Sequence, residues 1–384
     1  MAASDVNEDG IDDVLVGARF ASEGDRPSVG KAYVILGGRG GRIDTALGQQ
    51  DITVIGREAG DFLGIALAGG DVNGDGFSDL LLGASGADGP GNARDSSGEA
   101  YVLSGSDSLA KEIDLSERDP DLTIFGAAAE DLIPNRLASG DIDGDGRDEI
   151  LIGAPFADGT AGGEDAGRAY LVTLPQGTGS VDLAESPPLS EVIGASKKDA
   201  LGFFVAAGDV NGDELDDAII GARDADGPDG SRGNAGEVHI LLGSRDLPPL
   251  IDLEDSQLDS VIFGADPDDS LGFTVTGGDL DGDGTVDILA GAPTADGCGN
   301  SAADGGEAQV IRGGALPAEV DLAQETPLMS FFGEEAGDEL GFSLASGDIN
   351  GDGIDDVLLG ALLADGRDNE REDAGEVHVF LSRP

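Results

Sequence analysis

The chain has 384 residues, of which 78 are acidic and 21 basic, giving a formal net charge of −57. A surface this acidic repels nucleic-acid phosphates and anionic membranes, and no apolar stretch is long enough to span a bilayer. Glycine is abundant at 65 residues, but 39% hydrophobic residues in short regular runs can bury a core, and the lone Cys298 excludes an internal disulfide.

From the start, Met1-Ala2-Ala3-Ser4 runs directly into an acidic loop, with no signal-peptide pattern, so the numbering is expected to begin inside a longer natural protein. The loop recurs from Asp5, Asp71, Asp141, Asp209, Asp279 and Asp348, at steps of 66, 70, 68, 70 and 69 residues. A period this long predicts a repeat architecture. The repeats run approximately 1–56, 57–126, 127–194, 195–264, 265–333 and 334–384, and a single domain is expected over 1–384.

The second copy shows the unit most fully. Leu63-Gly64-Ile65-Ala66-Leu67-Ala68 predicts a short strand ahead of the loop, and the apolar run after Asp79 predicts a strand buried on both faces. The acidic loop therefore joins two neighbouring strands. A Gly- and Asp-rich link follows, then a third strand at 99–103, a polar link, and a fourth strand at 122–126. Four short antiparallel strands per repeat predict an all-β fold, a β-propeller of four-stranded blades with six repeats visible and six or seven blades in the full protein.

The second strand recurs as Val14-Leu15-Val16, Ile150-Leu151-Ile152, Ala218-Ile219-Ile220, Ile288-Leu289-Ala290 and Val357-Leu358-Leu359, each followed by Gly-Ala. The first copy is expected to lack its opening strand and the last its closing one. Roughly 20 residues upstream of Met1 would then complete both blades and close the ring.

Each acidic loop places oxygen-bearing side chains at positions 1, 3, 5 and 9 and, in five copies, Gly at position 6, a pattern suited to wrapping a hard cation such as calcium. Those side chains are Asp5, Asn7, Asp9 and Asp13; Asp71, Asn73, Asp75 and Asp79; Asp141, Asp143, Asp145 and Glu149. The remaining copies supply Asp209, Asn211, Asp213 and Asp217; Asp279, Asp281, Asp283 and Asp287; and Asp348, Asn350, Asp352 and Asp356. A further oxygen is expected from the position-7 carbonyls of Ile11, Phe77, Arg147, Leu215, Thr285 and Ile354. An EF-hand would need Glu at position 12, where all six copies carry an apolar strand residue. The alternative, that Asp, Asn and Gly merely make good turns, does not explain six loops in register. Up to six Ca2+ are expected; the third and fifth loops offer four carboxylates each, and the fourth, with Glu214 at position 6, is expected to be strained and weakest.

These loops, with Leu201-Gly202-Phe203, Leu271-Gly272-Phe273 or Leu340-Gly341-Phe342 ahead and Gly153-Ala154-Pro155 or Gly291-Ala292-Pro293 behind, resemble the FG-GAP repeats of the integrin α-subunit propeller and its bacterial relatives. The pattern departs at Ile133-Pro134, where Leu-Gly is expected, and in four copies that lack the final Pro. The resemblance implies an extracellular or cell-surface, calcium-stabilised module that binds a protein or glycan and does not catalyse. An acidic surface with only four lysines also suits salty or calcium-rich water.

Only two histidines occur, His239 and His378, at a repeat position held elsewhere by Tyr33, Tyr101, Tyr170 and Gln309, so both read as strand residues and no catalytic triad can be assembled. The links at 88–97, 158–165, 226–234, 296–304 and 365–373 collect on the face opposite the acidic hairpins and differ in sequence, which marks that face for partner binding. The alternatives are a structural repeat of a large secreted surface protein and a calcium-dependent propeller hydrolase.

Overall fold

The structure is a computed structural model that describes residues 1–38, 40–160, 163–174, 179–366, 371 and 373–383. The described residues form short strands connected by loops, with helix limited to single 3-10 turns. In chain order the strands are β1 (Ala2–Ser4), β2 (Asp13–Ala18), β3 (Lys31–Ile35), β4 (Ile52–Ile55), β5 (Leu67–Gly70), β6 (Asp79–Ala84), β7 (Glu99–Leu103), β8 (Glu112–Asp114) and β9 (Leu122–Phe125). There follow β10 (Arg136–Gly140), β11 (Glu149–Ala154), β12 (Arg168–Val172), β13 (Gly179–Asp182), β14 (Ser190–Ile193), β15 (Leu201–Gly208), β16 (Asp217–Ala222), β17 (Glu237–Leu241), β18 (Ile251–Asp252) and β19 (Ser260–Phe263). The last are β20 (Thr274–Gly278), β21 (Asp287–Ala292), β22 (Glu307–Ile311), β23 (Glu319–Asp321), β24 (Met329–Phe332), β25 (Leu340–Gly347), β26 (Asp356–Ala361) and β27 (Glu376–Phe380).

Contacts divide the chain into two compact units, one of residues 1–141, 145–157 and 169–191, the other of 142–144, 158–168 and 192–384. In the first unit, β5, β6, β7 and β9 form an antiparallel sheet in that order, and β1 to β4 form another. In the second, β15, β16, β17 and β19 repeat the arrangement, as do β20, β21, β22 and β24, while β25, β26 and β27 make a three-stranded sheet. With β10, β11, β12 and β14, which lie side by side in that order, there are six sheets among the described residues, each with the strand order of a propeller blade.

The central strands form because Leu, Ile and Val run consecutively, and in four blades both faces are covered. Every residue of β6, β11, β16 and β21 is buried. In the first unit one core gathers Leu15, Val34, Val54, Leu80, Leu82 and Tyr101; in the second, another gathers Ile219, Val238, Ile262, Ile288 and Val320. Glycine ends the central strand for a reason of space. A Cβ on Gly221 would lie 2.2 Å from the Gly272 carbonyl oxygen, and one on Gly291 2.3 Å from that of Gly341, so the Leu-Gly turn of the next blade can seat only against a bare backbone.

The structure departs from the sequence reading in three details. First, the opening strand of the first copy is present: Ala2–Ser4 pairs with β2 from Ala2↔Leu15 to Ser4↔Asp13. Three residues carried too little pattern to be read as a strand. Second, the opening strand of the second copy is Leu67–Gly70 and not the stretch from Leu63; Leu63 forms a separate bridge to Gly30, and Gly64 beside it is left-handed (φ +89). Third, the polar link between third and fourth strands holds a further strand. β8, β13, β18 and β23 each lie parallel on the fourth strand of the preceding repeat, β4, β9, β14 and β19 respectively. Blades are therefore antiparallel with a parallel edge supplied by the next repeat, and sequence repeat and sheet are out of phase by one strand.

Candidate metal loops and the opposite face

All six acidic hairpins lie between the first two strands of a blade, and most share one internal frame. The position-1 Asp turns inward on the loop's own amides: Asp71 Oδ1 accepts from Gly74 N at 2.7 Å and Asp75 N at 3.0 Å, and its Oδ2 accepts from Gly76 N at 2.8 Å. Asp209, Asp279 and Asp348 make the same three bonds. The position-5 carboxylate accepts from the position-7 amide in every copy, which fixes Ile11, Phe77, Arg147, Leu215, Thr285 and Ile354 at the turn.

Wrapping the chain so tightly needs left-handed backbone at positions 4 and 6, met by Gly74 (φ +75) and Gly76 (φ +94) in the second loop. Two copies break the rule. Glu8 holds position 4 of the first loop at φ +58, and Glu214 holds position 6 of the fourth at φ +72, a conformation in which Cβ crowds the backbone.

The position-9 side chains Asp13, Asp79, Glu149, Asp217, Asp287 and Asp356 begin the central strands and are essentially buried. Oδ1 of Asp79, Asp217 and Asp287 accepts from the backbone of Gly105, Gly243 and Gly313 at 2.9, 2.7 and 2.8 Å, tying the loop to the end of the third strand. Burial, against the pull of the Gly105 amide, pushes Asp79 up to about 7, and the nearby charges of Asp75 and Asp71 add to the shift. Asp217 is pushed up to about 6 by the same burial, and Asp13 and Asp287 are raised.

Three observations show that these residues suit a hard divalent cation. The side-chain donors are all oxygen. Asp79 Oδ2 is buried without a hydrogen-bond partner, which is costly for a carboxylate unless a cation neutralises it. Oxygens of Asp141, Asp143 and Glu149, and of Asp279, Asp281 and Asp283, lie within 4.8 Å of one another. The third and fifth loops, the two with four carboxylates, are thus the ones whose acids the structure gathers. In the second and sixth, the position-3 amides of Asn73 and Asn350 donate to Asp79 and Asp356, and in the fourth Asn211 donates to Asp213. The first loop folds around Asp5, which accepts from Asp9 N and Gly10 N, while Asn7 accepts from Asp9 N.

Neighbouring loops touch within each unit. Asp71 and Asp148 exchange backbone and carboxylate bonds (Asp71 N to Asp148 Oδ2, 3.0 Å; Asp148 N to Asp71 O, 3.1 Å), and Asp279 and Asp355 do the same. One loop's shape therefore bears directly on the next.

At the opposite end of each blade, the links between second and third strands share a backbone frame despite their different sequences: Arg94 N donates to Asp88 O, Arg232 N to Asp226 O, Ala302 N to Asp296 O and Arg371 N to Asp365 O, at 2.7 to 2.9 Å. Residues 161 and 162 of the 158–165 link, and 367–370 and 372 of the 365–373 link, lie outside the described residues. Part of this end of the blades is committed to holding repeats together. Arg26 reaches Gly56 O at 2.7 Å and both carboxylate oxygens of Asp114, Arg94 pairs with Asp182, and Arg232 pairs with Asp321 at 2.7 Å while also meeting the Gly264 and Ala265 carbonyls. Each arginine thus grips the parallel strand arriving from the next repeat. The sequence reading missed both the strand and the clamp. Their signal is a short echo, Ile113-Asp114-Leu115, Val181-Asp182-Leu183, Ile251-Asp252-Leu253 and Val320-Asp321-Leu322.

Apolar side chains stand open to solvent just behind Gly-Ala in their repeats: Phe20 and Phe156 in the first unit are 64 and 39% exposed, and Leu362 and Leu363 in the second are 44 and 38% exposed. In the second unit the Leu-Gly-Phe rings form a row, Phe203 to Phe273 to Phe342 at 5.1 and 5.0 Å, with Arg223 3.9 Å above Phe203. The histidines sit in strands as their repeat position indicates, His239 paired with Glu237 at 3.0 Å and His378 with Glu376 at 3.4 Å. No helix among the described residues is long and apolar enough to cross a membrane.

A profile of the FG-GAP repeat matches residues 1–35, 63–103, 134–172, 271–311 and 340–380, just over half of the chain. The unmatched fourth copy is the one that carries Glu214. Integrin alpha-PS2 of Drosophila melanogaster is 36% identical over 42% of this chain and 11% of its own length. Integrin alpha pat-2 of Caenorhabditis briggsae is 30% identical over 60% of this chain and 18% of its own length. Phosphatidylinositol-glycan-specific phospholipase D of Rattus norvegicus is 28% identical over 94% of this chain and 43% of its own length. The chain thus spans less than half the length of each of these relatives.

Proposed function

The chain belongs to the FG-GAP repeat family, and from that premise we propose that it is a calcium-binding, integrin-like β-propeller that acts as a non-catalytic adhesion or ligand-binding module outside the cell. The observation that carries this reading is the buried, partnerless Asp79 Oδ2 in a loop whose plan recurs six times, with carboxylates gathered in the third and fifth copies. The ligand oxygens proposed are the side chains at positions 1, 3, 5 and 9 and the carbonyl at position 7 of each loop. The whole chain is proposed to be one domain, with calcium as its cross-link. At about 100 times its dissociation constant each ion adds ~2.7 kcal/mol to stability. Calorimetric titration of the metal-free protein is expected to show heat of calcium uptake and a rise in melting temperature that chelator reverses. Absence of both would overturn the reading.

Partner capture is proposed on the face opposite the metal hairpins, where exposed Phe20, Phe156, Leu362 and Leu363 accompany the variable links. Protein and glycan arrays, probed in calcium and in chelator, test this. A specific observation keeps a second reading alive: the similarity to a phospholipase D of that name covers 94% of this chain. Hydrolysis of a phosphatidylinositol-glycan substrate by the isolated chain, calcium-dependent and above background, would favour the enzyme over the adhesion module.

A further inference from the structure

We propose that Arg312 is a built-in competing cation for the fifth metal loop, setting that loop's calcium affinity below what its four carboxylates would confer. The proposal rests on the calcium reading and concerns how one site is tuned. Arg312 directly follows β22, and its guanidinium reaches across to the loop: Nη2 lies 2.5 Å from Asp281 Oδ2 and Nη1 3.6 Å from Asp283 Oδ2. These are two of the three acids whose oxygens converge within 4.8 Å. A monovalent cation is thus already held by the groups that a divalent ion needs.

The placement is specific to this copy. The residue after the third strand is Leu36, Ser104, Thr173, Leu242 and Leu381 in the other repeats, none of them cationic. Asp281 itself occupies a position that is Asn in the first, second, fourth and sixth loops. The fifth loop therefore combines an additional carboxylate with an arginine that reaches it.

The chemistry decides the direction of the effect. The guanidinium charge stands beside both the Asp281 and Asp283 carboxylates, so calcium must either displace Arg312 or bind beside a like charge, and both weaken uptake. The side chain of Arg312 is 55% exposed, so the pair is screened by water and salt and the arginine can swing free. The competition is correspondingly modest, about 5-fold in affinity. The fifth loop then fills late in a calcium titration.

The test uses the full chain and calcium alone. Calorimetry of Arg312→Gln is expected to show one binding step moved to about 5-fold lower calcium, by an amount that shrinks as NaCl is raised. Arg118→Gln, which removes an exposed positive charge elsewhere, should leave that step in place, and in an Asp281→Asn background, which installs the Asn found at that position in four other loops and removes the nearer partner of Arg312, the Arg312→Gln effect should largely disappear. Unchanged or weaker binding in Arg312→Gln overturns the proposal. So does an equal shift in Arg118→Gln, or a shift that survives Asp281→Asn undiminished, since either would mark a general charge effect. If the wild-type chain takes up no calcium, the calcium reading itself falls; uptake without the arginine effect removes this inference alone.

Discussion

Single residues in this protein are held in conformations or charge states that their local surroundings disfavour. Glu214 sits at φ +72 where five of the six loops have Gly. Replacing it with Gly removes a left-handed penalty of about 1 kcal/mol, partly offset by the greater freedom of Gly in the unfolded chain. Urea unfolding in chelator should show Glu214→Gly to be the more stable protein; a less stable one would mean that Glu214 makes a compensating contact. Asp199 offers a test of charge. Burial pushes it up to about 7, against the pull of the Ser196 amide, with Glu237 and Asp226 raising it further and His239 opposing them. An acid whose pKa is higher folded than unfolded favours the folded state when protonated, so its contribution is lost as pH rises from about 4 toward 7. Asp199→Asn keeps an acceptor for Ser196 N and removes the charge. It should raise the melting temperature at pH 8 and have a much smaller effect at pH 5, a difference that paired melts would resolve.

At the scale of elements, the parallel strand handed from one repeat to the preceding blade is the least expected feature and the most consequential. It covers the outer edge of a sheet that would otherwise expose unpaired backbone groups, and it ties consecutive repeats by hydrogen bonds in addition to side-chain packing. The arginine clamps reinforce it. Burial pushes Asp321 up, yet the bonds from Arg232, Gln324 and the Ala323 amide together outweigh it and hold the carboxyl below its ordinary range. Both side chains of that pair are largely buried, at 15 and 18% exposure, so removing one strands the other. Arg232→Met should destabilise the protein by about 2 to 3 kcal/mol, and Arg232→Met with Asp321→Leu should recover part of that loss. Losses that simply add would show the two residues to act independently. In the third copy, Thr160 takes the arginine's place and donates to Asp252 at 2.7 Å, a lighter version of the same fastening.

At the scale of the whole molecule, a net charge of −57 dominates. Twenty of the 78 acidic side chains stand at metal-loop positions, and six divalent ions would offset only part of the remaining excess. Mutual repulsion therefore opposes the compact state, and salt that shortens its range should help. The metal-free protein should melt higher as NaCl rises from about 0.05 M to about 0.5 M, where the Debye length falls below ~8 Å. Calcium at a few millimolar changes ionic strength little, so any rise it adds beyond equal ionic strength of NaCl measures site binding. Equal effects of the two salts would reduce calcium to a screening ion.

The sequence alone determined the period, the six acidic hairpins, the buried central strands and the all-β class, because each rests on local chemistry: alternate oxygen donors, turn glycines and apolar runs are legible within a dozen residues. It also located Glu214 as a misfit, since the need for a left-handed position is set by the loop itself. Only the tertiary structure decided which blade each strand serves. β8, β13, β18 and β23 are too short and polar to announce themselves, and they become strands because a neighbouring repeat offers an open edge. The same holds for Arg26, Arg94, Arg232 and Arg312. Their partners lie far away along the chain, and an arginine's reach to a distant carboxylate is fixed by packing that no local pattern encodes.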